Sequence, residues 1–117
     1  EKVSIDTGDL LGRPLIVSRQ GLRGDLPRLL GEKADRLNVT ATINLTYNGT
    51  LLVREGMGYL LTFDKLADTS EGSGLCFRPL APRLETKLYF IWKKYAVFSP
   101  VAEVLLSEMR DHYSTLE

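Results

Sequence analysis

Apolar positions along the chain recur with two different periods, and the shorter period marks strands. Residues 15–17 form an apolar run of the kind found in a buried strand. Residues 39–45 alternate between apolar and polar side chains, many of them β-branched, and predict a second strand. A third strand is predicted at residues 59–63, and turn residues set off two more at 75–80 and 87–93. The pattern therefore predicts about five strands.

Helical spacing occupies the segments between these strands. Leucines recur at helical intervals within residues 22–37 and predict a helix there. A shorter helix is predicted from Asn48, as its N-cap, to about residue 55, with Gly56 closing it. The last predicted helix has Pro100 in its first turn and carries an apolar stripe. The stripe consists of Val101, Leu105, Met109, Tyr113 and Leu116, widened by Ala102 and Leu106.

The alternation of strands and helices predicts the fold class. Strands joined through helical segments run parallel, with right-handed crossovers. A chain of 117 residues is long enough to bury one hydrophobic core. We therefore expect a single α/β fold with a mostly parallel sheet of about five strands, helices on both faces and a C-terminal amphipathic helix.

Composition and charge exclude several classes of function. No apolar run approaches the roughly 20 residues that a membrane span needs. Fifteen basic and fifteen acidic residues balance, and no basic cluster follows one helix face, so this segment is not expected to bind nucleic acid by charge. A lone Cys76 excludes an internal disulfide and favours a cytoplasmic protein. Glycosylation is not expected at the Asn-x-Thr sequons of Asn38, Asn44 and Asn48.

Polar side chains follow the first three predicted strands. In parallel α/β sheets, ligands bind beyond the carboxyl ends of the strands. Arg19 has the geometry to clamp a carboxylate, and the helix from Gly49 would add backbone N–H donors. The alternative is that these are solvated loop residues with local capping roles. The positions are Ser18, Arg19 and Gln20, then Thr46, Tyr47 and Asn48, then Thr62, Phe63 and Asp64.

The Gly56-Met57-Gly58 sequence is not expected to be a phosphate loop. A dinucleotide fingerprint requires a strand, then glycines, then a helix, so that the helix N-terminus faces the pyrophosphate. Here the glycines follow a helix and precede a strand. We therefore predict a helix C-cap followed by tight packing of the next strand.

No other residue is predicted to carry chemistry. His112 is expected on the surface, because no second His or nearby Cys accompanies it as a metal ligand. Cys76 is expected to be an inert core thiol, and Tyr89 and Trp92 are expected to pack in the fifth strand. No spacing assembles a catalytic triad. No catalytic residue, metal site or cofactor is therefore predicted.

Three segments in register resemble one protein family. DLLGRPLI at residues 9–16 resembles the "DLxGxPLI" opening of the second lobe in the effector-binding domain of LysR-type transcriptional regulators. VREGMGYLL at residues 53–61 is similar to its "VxxGxGxxLL" segment, although Thr62 stands where the family often has proline. LYFIWKK at residues 88–94, with SPVA at residues 99–102, is similar to its "LYLVWRK … SPAA" ending.

The resemblance implies one lobe of a type II periplasmic-binding-protein-like fold, a three-layer sandwich. Residues of about 10–94 would form the second lobe and about 99–116 the tail helix, without the N-terminal helix-turn-helix and most of the first lobe. The resemblance also implies a cytoplasmic bacterial regulator that dimerises and binds DNA only through that N-terminal domain. Family contacts with a small effector correspond to Ser18, Arg19, Gln20, Thr46, Tyr47 and Asn48.

In the family that the chain resembles, the tail helix packs on the first lobe. Without that lobe, the apolar stripe at Val101, Leu105 and Met109 is expected to be exposed. We expect self-association, for which exchange of the C-terminal helix between chains is one route. Two other functions stay open at the level of sequence. The chain is alternatively a fragment of an extracytoplasmic solute-binding protein of the same architecture or, with less support, a small α/β enzyme.

Overall fold

The structure is a computed structural model that describes residues 2–113 of the chain. It divides into two compact units, Glu1–Thr86 and Lys87–Glu117, which are described separately below. No helix among the described residues is long and apolar enough to cross a membrane.

Within the described residues, the first unit contains all the strands and most of the helices. The strands are β1 (Ile5–Asp6), β2 (Leu15–Ser18), β3 (Val39–Ile43), β4 (Tyr59–Leu60) and β5 (Leu80–Ala81). The helices are α1 (Arg19–Arg23), α2 (Asp25–Leu30), the 3-10 helix Gly31–Arg36 and α3 (Thr46–Arg54). The second unit contains α4 (Pro100–Tyr113).

The strands form two parallel sheets. β2 is central to the larger sheet, in the order β3-β2-β4, and β1 pairs with β5 in the smaller one. Ile16 lies opposite Ala41 on β3 and opposite Leu60 on β4. Leu15 and Ile16 are both fully buried, as expected for a central parallel strand that is covered on both faces. The predicted parallel α/β organisation is confirmed.

Four of the predicted strands are wrong in extent or type. β3 ends at Ile43 instead of residue 45, and β4 covers only residues 59–60 of the predicted 59–63. Of residues 75–80 only Leu80 is in a strand, where it pairs with Ile5. Residues 87–93 form no regular secondary structure, and both Leu88 and Ile91 are 86% exposed. Residues of high β-propensity favour a strand mainly when their side chains pack against a neighbouring strand. Among the described residues, no strand pairs with this segment. The single sheet of about five strands is accordingly not observed.

The predicted helix at residues 22–37 is broken by its glycines. Gly24 caps α1 and Gly31 caps α2, with φ of 55° at Gly31. The chain continues from there as a 3-10 helix. The first helix also begins earlier than predicted, because Ser18 serves as the N-cap of α1.

Helix α3 starts at Thr46, so the prediction of Asn48 as N-cap is wrong. Leu45 is the N-cap and contributes no capping side chain. The amide N–H groups of Asn48 and Gly49 both donate to the carbonyl oxygen of Leu45, at 3.1 and 3.4 Å. The backbone N–H groups at the N-terminus of this helix therefore belong to the turn that starts at Thr46. The sequence had predicted that they start at Gly49.

The glycines after α3 have the structural role that the sequence predicted. Gly56 has φ of 74°, the left-handed conformation that closes helices. At Gly58 an added Cβ would lie 2.4 Å from the carbonyl oxygen of Pro14, so only glycine allows this approach. The same oxygen accepts the N–H of Tyr59 at 2.9 Å and thereby aligns β4 with the segment that leads into β2.

The core of the first unit is small. Leu10, Leu15 and Val17 form its buried cluster. The partly buried residues around this cluster are Ile5, Leu22, Leu26, Leu37, Val39, Leu61 and Leu80. Cys76 is exposed, so its prediction as a core thiol is wrong; it lies outside any strand, in a stretch that packs too loosely to cover it.

The apolar stripe of α4 has a half-buried part and an exposed part. Ala102, Leu106 and Met109 are half-buried, whereas Val101 is 80% and Leu105 is 52% exposed. The exposed stripe predicted from sequence thus holds for Val101 and Leu105 but not for Met109. Leu116, the last predicted member, lies outside the described residues.

The aromatic residues before α4 are more exposed than predicted. Tyr89 is 77% and Trp92 is 46% exposed, so neither is a packed strand residue. The guanidinium of Arg110 lies 5.7 Å from the centre of the Trp92 ring and shields part of it. His112 is exposed, as predicted.

Candidate functional site

An open cleft lies where β2 and β3 reach their carboxyl ends. Both strands run in the same direction, so the segments that follow them meet at one edge of the sheet. The cleft has a volume of about 590 Å³, within the range of small-molecule sites. Its lining residues are Ser18, Arg19, Gln20, Arg23, Gly24, Ile43 and Asn44.

Ser18 is held in a fixed orientation at the start of α1. Its Oγ accepts the N–H of Gly21 at 2.8 Å, the hydrogen bond of a helix N-cap. A Cβ on Gly21 would lie 2.8 Å from this oxygen, so glycine leaves room for the cap. Because the oxygen acts as acceptor here, the hydroxyl hydrogen of Ser18 is available as a donor toward the cleft.

Two arginines on α1 bring positive charge to the cleft. Arg19 and Arg23 are four residues apart and therefore lie on the same side of a helix. Both are exposed, and neither side chain has a hydrogen bond or ion pair with any other residue of the 2–113 range. Gln20, between them, is exposed as well. This helix thus presents guanidinium and amide donors with no carboxylate paired to them.

The nearest acidic residue along the chain is already engaged elsewhere. Oδ1 of Asp25 accepts from Arg28 at 3.4 Å and from the hydroxyl of Thr86 at 3.2 Å. Arg28 also donates to the Thr86 hydroxyl at 3.2 Å. Asp25 follows Gly24 directly, yet it does not contribute to the cleft lining. The charge of the two arginines is therefore not neutralised by this carboxylate.

A pair of threonine hydroxyls joins the end of β4 to the start of α3. The Oγ1 atoms of Thr46 and Thr62 are 3.2 Å apart, and both residues are half-buried. Tyr47 and Asn48 lie in the first turn of α3 and are exposed. Thr50 is buried one turn later and donates its hydroxyl to the carbonyl oxygen of Tyr47 at 2.6 Å, which fixes the geometry of this turn.

The structure brings some of the predicted site residues together and not others. Ser18, Arg19 and Gln20 line one cleft. Thr46 and Thr62 contact each other but do not line that cleft, and neither do Tyr47 and Asn48.

Sequence reasoning missed the residues that the cleft adds, namely Arg23, Gly24, Ile43 and Asn44. β3 ends at Ile43, so Asn44 and not Thr46 is the first polar position beyond it. The alternating pattern continued to Leu45 and hid this boundary. Arg19 and Arg23 are spaced four residues apart in the sequence. This spacing would have indicated a shared helix face only if Ser18 had been recognised as the N-cap of a helix.

The donor set of the cleft suits an organic ligand better than a metal ion. Guanidinium, amide and hydroxyl groups recognise carboxylates and other anions through charge-assisted hydrogen bonds. No group of three or more His, Cys, Asp or Glu side chains within residues 2–113 is arranged to hold a metal ion.

A parallel α/β unit with a cleft at the carboxyl ends of its strands has the arrangement in which such sheets bind small ligands. The family model for the LysR substrate binding domain matches residues 1–114. The chain belongs to that family, which confirms the resemblance found in its sequence motifs. No curated protein and no solved structure matches the chain. The domain family serves effector sensing in transcriptional regulators and is not a family of enzymes.

Proposed function

We propose that this chain senses a small anionic effector, which binds at the carboxyl ends of β2 and β3. The observation that carries the proposal is the cleft in which the unpaired guanidinium of Arg19 lies beside Ser18 and Gln20. Arg19 would bind a carboxylate through two parallel hydrogen bonds, and the Ser18 hydroxyl would donate to it. The family match supports an effector as the ligand.

The second group of predicted site residues would form the rim of the same site. Thr46 and Thr62 hold the start of α3 against the end of β4, and this places Tyr47 and Asn48 at the surface. The amide N–H groups of Asn48 and Gly49 donate to the Leu45 carbonyl oxygen. Those of Thr46 and Tyr47 are therefore the first-turn donors that would favour negative charge. The rim would therefore contact the effector when the site closes.

The conformational consequence follows from thermodynamic linkage. A ligand that binds one conformation of a regulator better than another shifts the population toward the first. We propose that this chain is the second lobe, with a tail helix, of a cytoplasmic regulator whose first lobe completes the cleft. DNA would be bound through an N-terminal helix-turn-helix of the intact protein.

Substitutions in the intact regulator test this proposal. Effector-dependent transcription from the regulator's target promoter is measured across effector concentrations. We expect Arg19→Ala to raise the half-maximal effector concentration about 10- to 100-fold, because a charged hydrogen-bond pair contributes about 1.5–3 kcal/mol. Thr46→Val should raise it less, because it acts through the Thr62 contact. Unchanged responses of both variants would remove the site assignment.

Arg36→Ala is the matched control. Arg36 is exposed and lies in the 3-10 helix, outside the cleft. It removes the same charge from the same unit, so its response should equal that of the unmodified regulator.

We also propose that the chain self-associates through the exposed strip of α4. Val101 and Leu105 are one turn apart and both exposed, which places two apolar side chains side by side. Association would occur by face-to-face packing or by exchange of the helix between chains.

Sedimentation velocity tests the self-association. Val101→Asp with Leu105→Asp should shift the distribution toward monomer. Ser107→Asp adds a charge at an exposed polar position of the same helix and should leave the distribution unchanged. A monomer at high concentration for the unmodified chain would contradict the proposal.

A further inference from the structure

The cleft concentrates positive charge in a chain that is neutral as a whole. Fifteen basic residues balance fifteen acidic ones over the sequence. The cleft lining contains two arginines and no acidic residue. This local excess is of the sign and size that attracts a ligand carrying two negative charges.

Arg23 has no structural role that would account for its position. Its side chain is exposed and makes no hydrogen bond or ion pair within the described part of the chain. It is the last residue of α1, and the N–H of the following Gly24 donates to the carbonyl of Gln20 without help from the arginine. A guanidinium placed in a cleft and bound to nothing is available for a ligand.

The two arginines are spaced for two separate anionic groups. On a helix, residues four apart have Cβ atoms about 5–6 Å from each other. Each guanidinium can bind one carboxylate through two parallel hydrogen bonds. A short dicarboxylate, with its two carboxylates joined by a few carbon atoms, matches this separation. Gln20 and Asn44 add polar groups to the lining, which also contains the apolar side chain of Ile43.

We propose that the cleft selects small dicarboxylates, with Arg19 binding one carboxylate and Arg23 the other. This inference rests on the proposed function, because it names the chemical class of the ligand for the same site. Arg23 is then a specificity-determining residue, since a monocarboxylate needs only Arg19.

Amide chemical shifts of the ¹⁵N-labelled 117-residue chain provide the test. The chain is titrated with succinate, with butyrate as the monocarboxylate of equal carbon number, and with succinamide as the neutral diamide. Sodium chloride keeps the ionic strength constant, because salt screens exposed charges. We expect succinate to shift the amides of residues 18–24 and of Asn44, and to bind about tenfold more tightly than butyrate.

Arginine variants separate the two roles. Arg23→Gln should weaken succinate binding about tenfold, to the affinity of butyrate, and change butyrate binding less than twofold. Arg36→Gln is the matched control and should change neither ligand's affinity. The spectrum of Arg23→Gln away from α1 should equal that of the unmodified chain, because the side chain has no contact to lose.

The outcomes distinguish this inference from the proposed function. Equal affinity for succinate, butyrate and succinamide at these residues would refute selection by double charge but leave a ligand cleft in place. An Arg23→Gln variant that binds succinate as tightly as the unmodified chain would also overturn the inference. Failure of all three compounds to shift residues 18–24 refutes it too, while the promoter response of Arg19→Ala decides the proposed function independently.

Discussion

Replacement of Gly58 by alanine tests the packing that positions the edge of the sheet. Gly58 lies between the end of α3 and β4, against the backbone of Pro14. An added Cβ would lie 2.4 Å from the Pro14 carbonyl oxygen and 3.0 Å from its carbonyl carbon. Because the contact is with backbone, no side-chain rotation can relieve it.

The expected cost of the substitution has two parts. A residue with a Cβ in a positive-φ conformation costs about 1–2 kcal/mol, and φ at Gly58 is 153°. Forcing an extra methyl group into a closed contact adds about 1–3 kcal/mol. The Tyr59 N–H bond to the same carbonyl oxygen, at 2.9 Å, would lengthen as the backbone moves. We therefore expect a total loss of about 2–5 kcal/mol in the free energy of unfolding.

Gly56→Ala is the matched control for this variant. Gly56 also has positive φ, 74°, but a Cβ there would meet no atom within 4 Å. It should cost only the conformational part, about 1–2 kcal/mol.

Urea unfolding of the three proteins, followed by circular dichroism, gives the comparison. Similar m-values with different midpoints would show that stability alone has changed. Equal midpoints for Gly58→Ala and Gly56→Ala would show that the approach to Pro14 is not a tight contact.

Three further predictions concern Ile16, Thr50 and Asp68, which lie in the first unit. Ile16→Ala should lower the free energy of unfolding by about 2–5 kcal/mol, because the side chain is fully buried, whereas Val97→Ala at a fully exposed position should change it by less than about 0.5 kcal/mol, both measured by urea unfolding. Thr50→Val keeps the shape but removes the buried hydroxyl donor, and should cost about 1 kcal/mol more than Thr50→Ser, which keeps it. The side-chain and backbone hydrogen bonds from Ser70 lower the pKa of the Asp68 carboxyl below its usual value. Its ionised form therefore stabilises the fold above the unfolded pKa of about 4, and that contribution is lost as the pH falls through the lower pKa of the folded state. Asp68→Asn should lower stability at neutral pH and make unfolding less dependent on acid, and an unchanged acid dependence would contradict the assignment.

The sequence predicted those elements whose signal is local and agrees with their environment. The apolar run at residues 15–17 became the central buried strand, and Gly56 closes its helix with the expected positive φ. The parallel pairing was predictable from the alternation of strands and helices. These cases succeeded because periodicity, turn chemistry and packing all favour one conformation.

The failures occurred where a local rule competed with packing that the sequence does not display. Asn48 is a strong capping residue, yet the N-cap of α3 is Leu45, three positions earlier, and the buried Gly49 and Thr50 bring the helix against the sheet. An added Cβ on Gly49 would lie 2.8 Å from Ile43 Cδ1, which shows how closely this helix approaches β3. Residues 87–93 have high β-propensity but no paired strand among the described residues.

The candidate site was only half predictable for the same reason. Ser18, Arg19 and Gln20 were identified because β2 ends at Ser18, directly after the apolar run. Asn44 was missed because the alternating pattern outlasts β3. Arg23 was missed because α1 could not be inferred from a five-residue segment that contains glycine.

The hydroxyl pair of Thr46 and Thr62 can carry its shared hydrogen in two ways. Either oxygen can be the donor at their 3.2 Å separation, and the other hydroxyl then has its own hydrogen left to give. The same heavy-atom arrangement can therefore offer a hydrogen from α3 or from the end of β4. A hydrogen-bond acceptor that binds one threonine hydroxyl takes that hydroxyl's hydrogen. The other threonine must then donate within the pair, and only its oxygen lone pairs remain for a further partner.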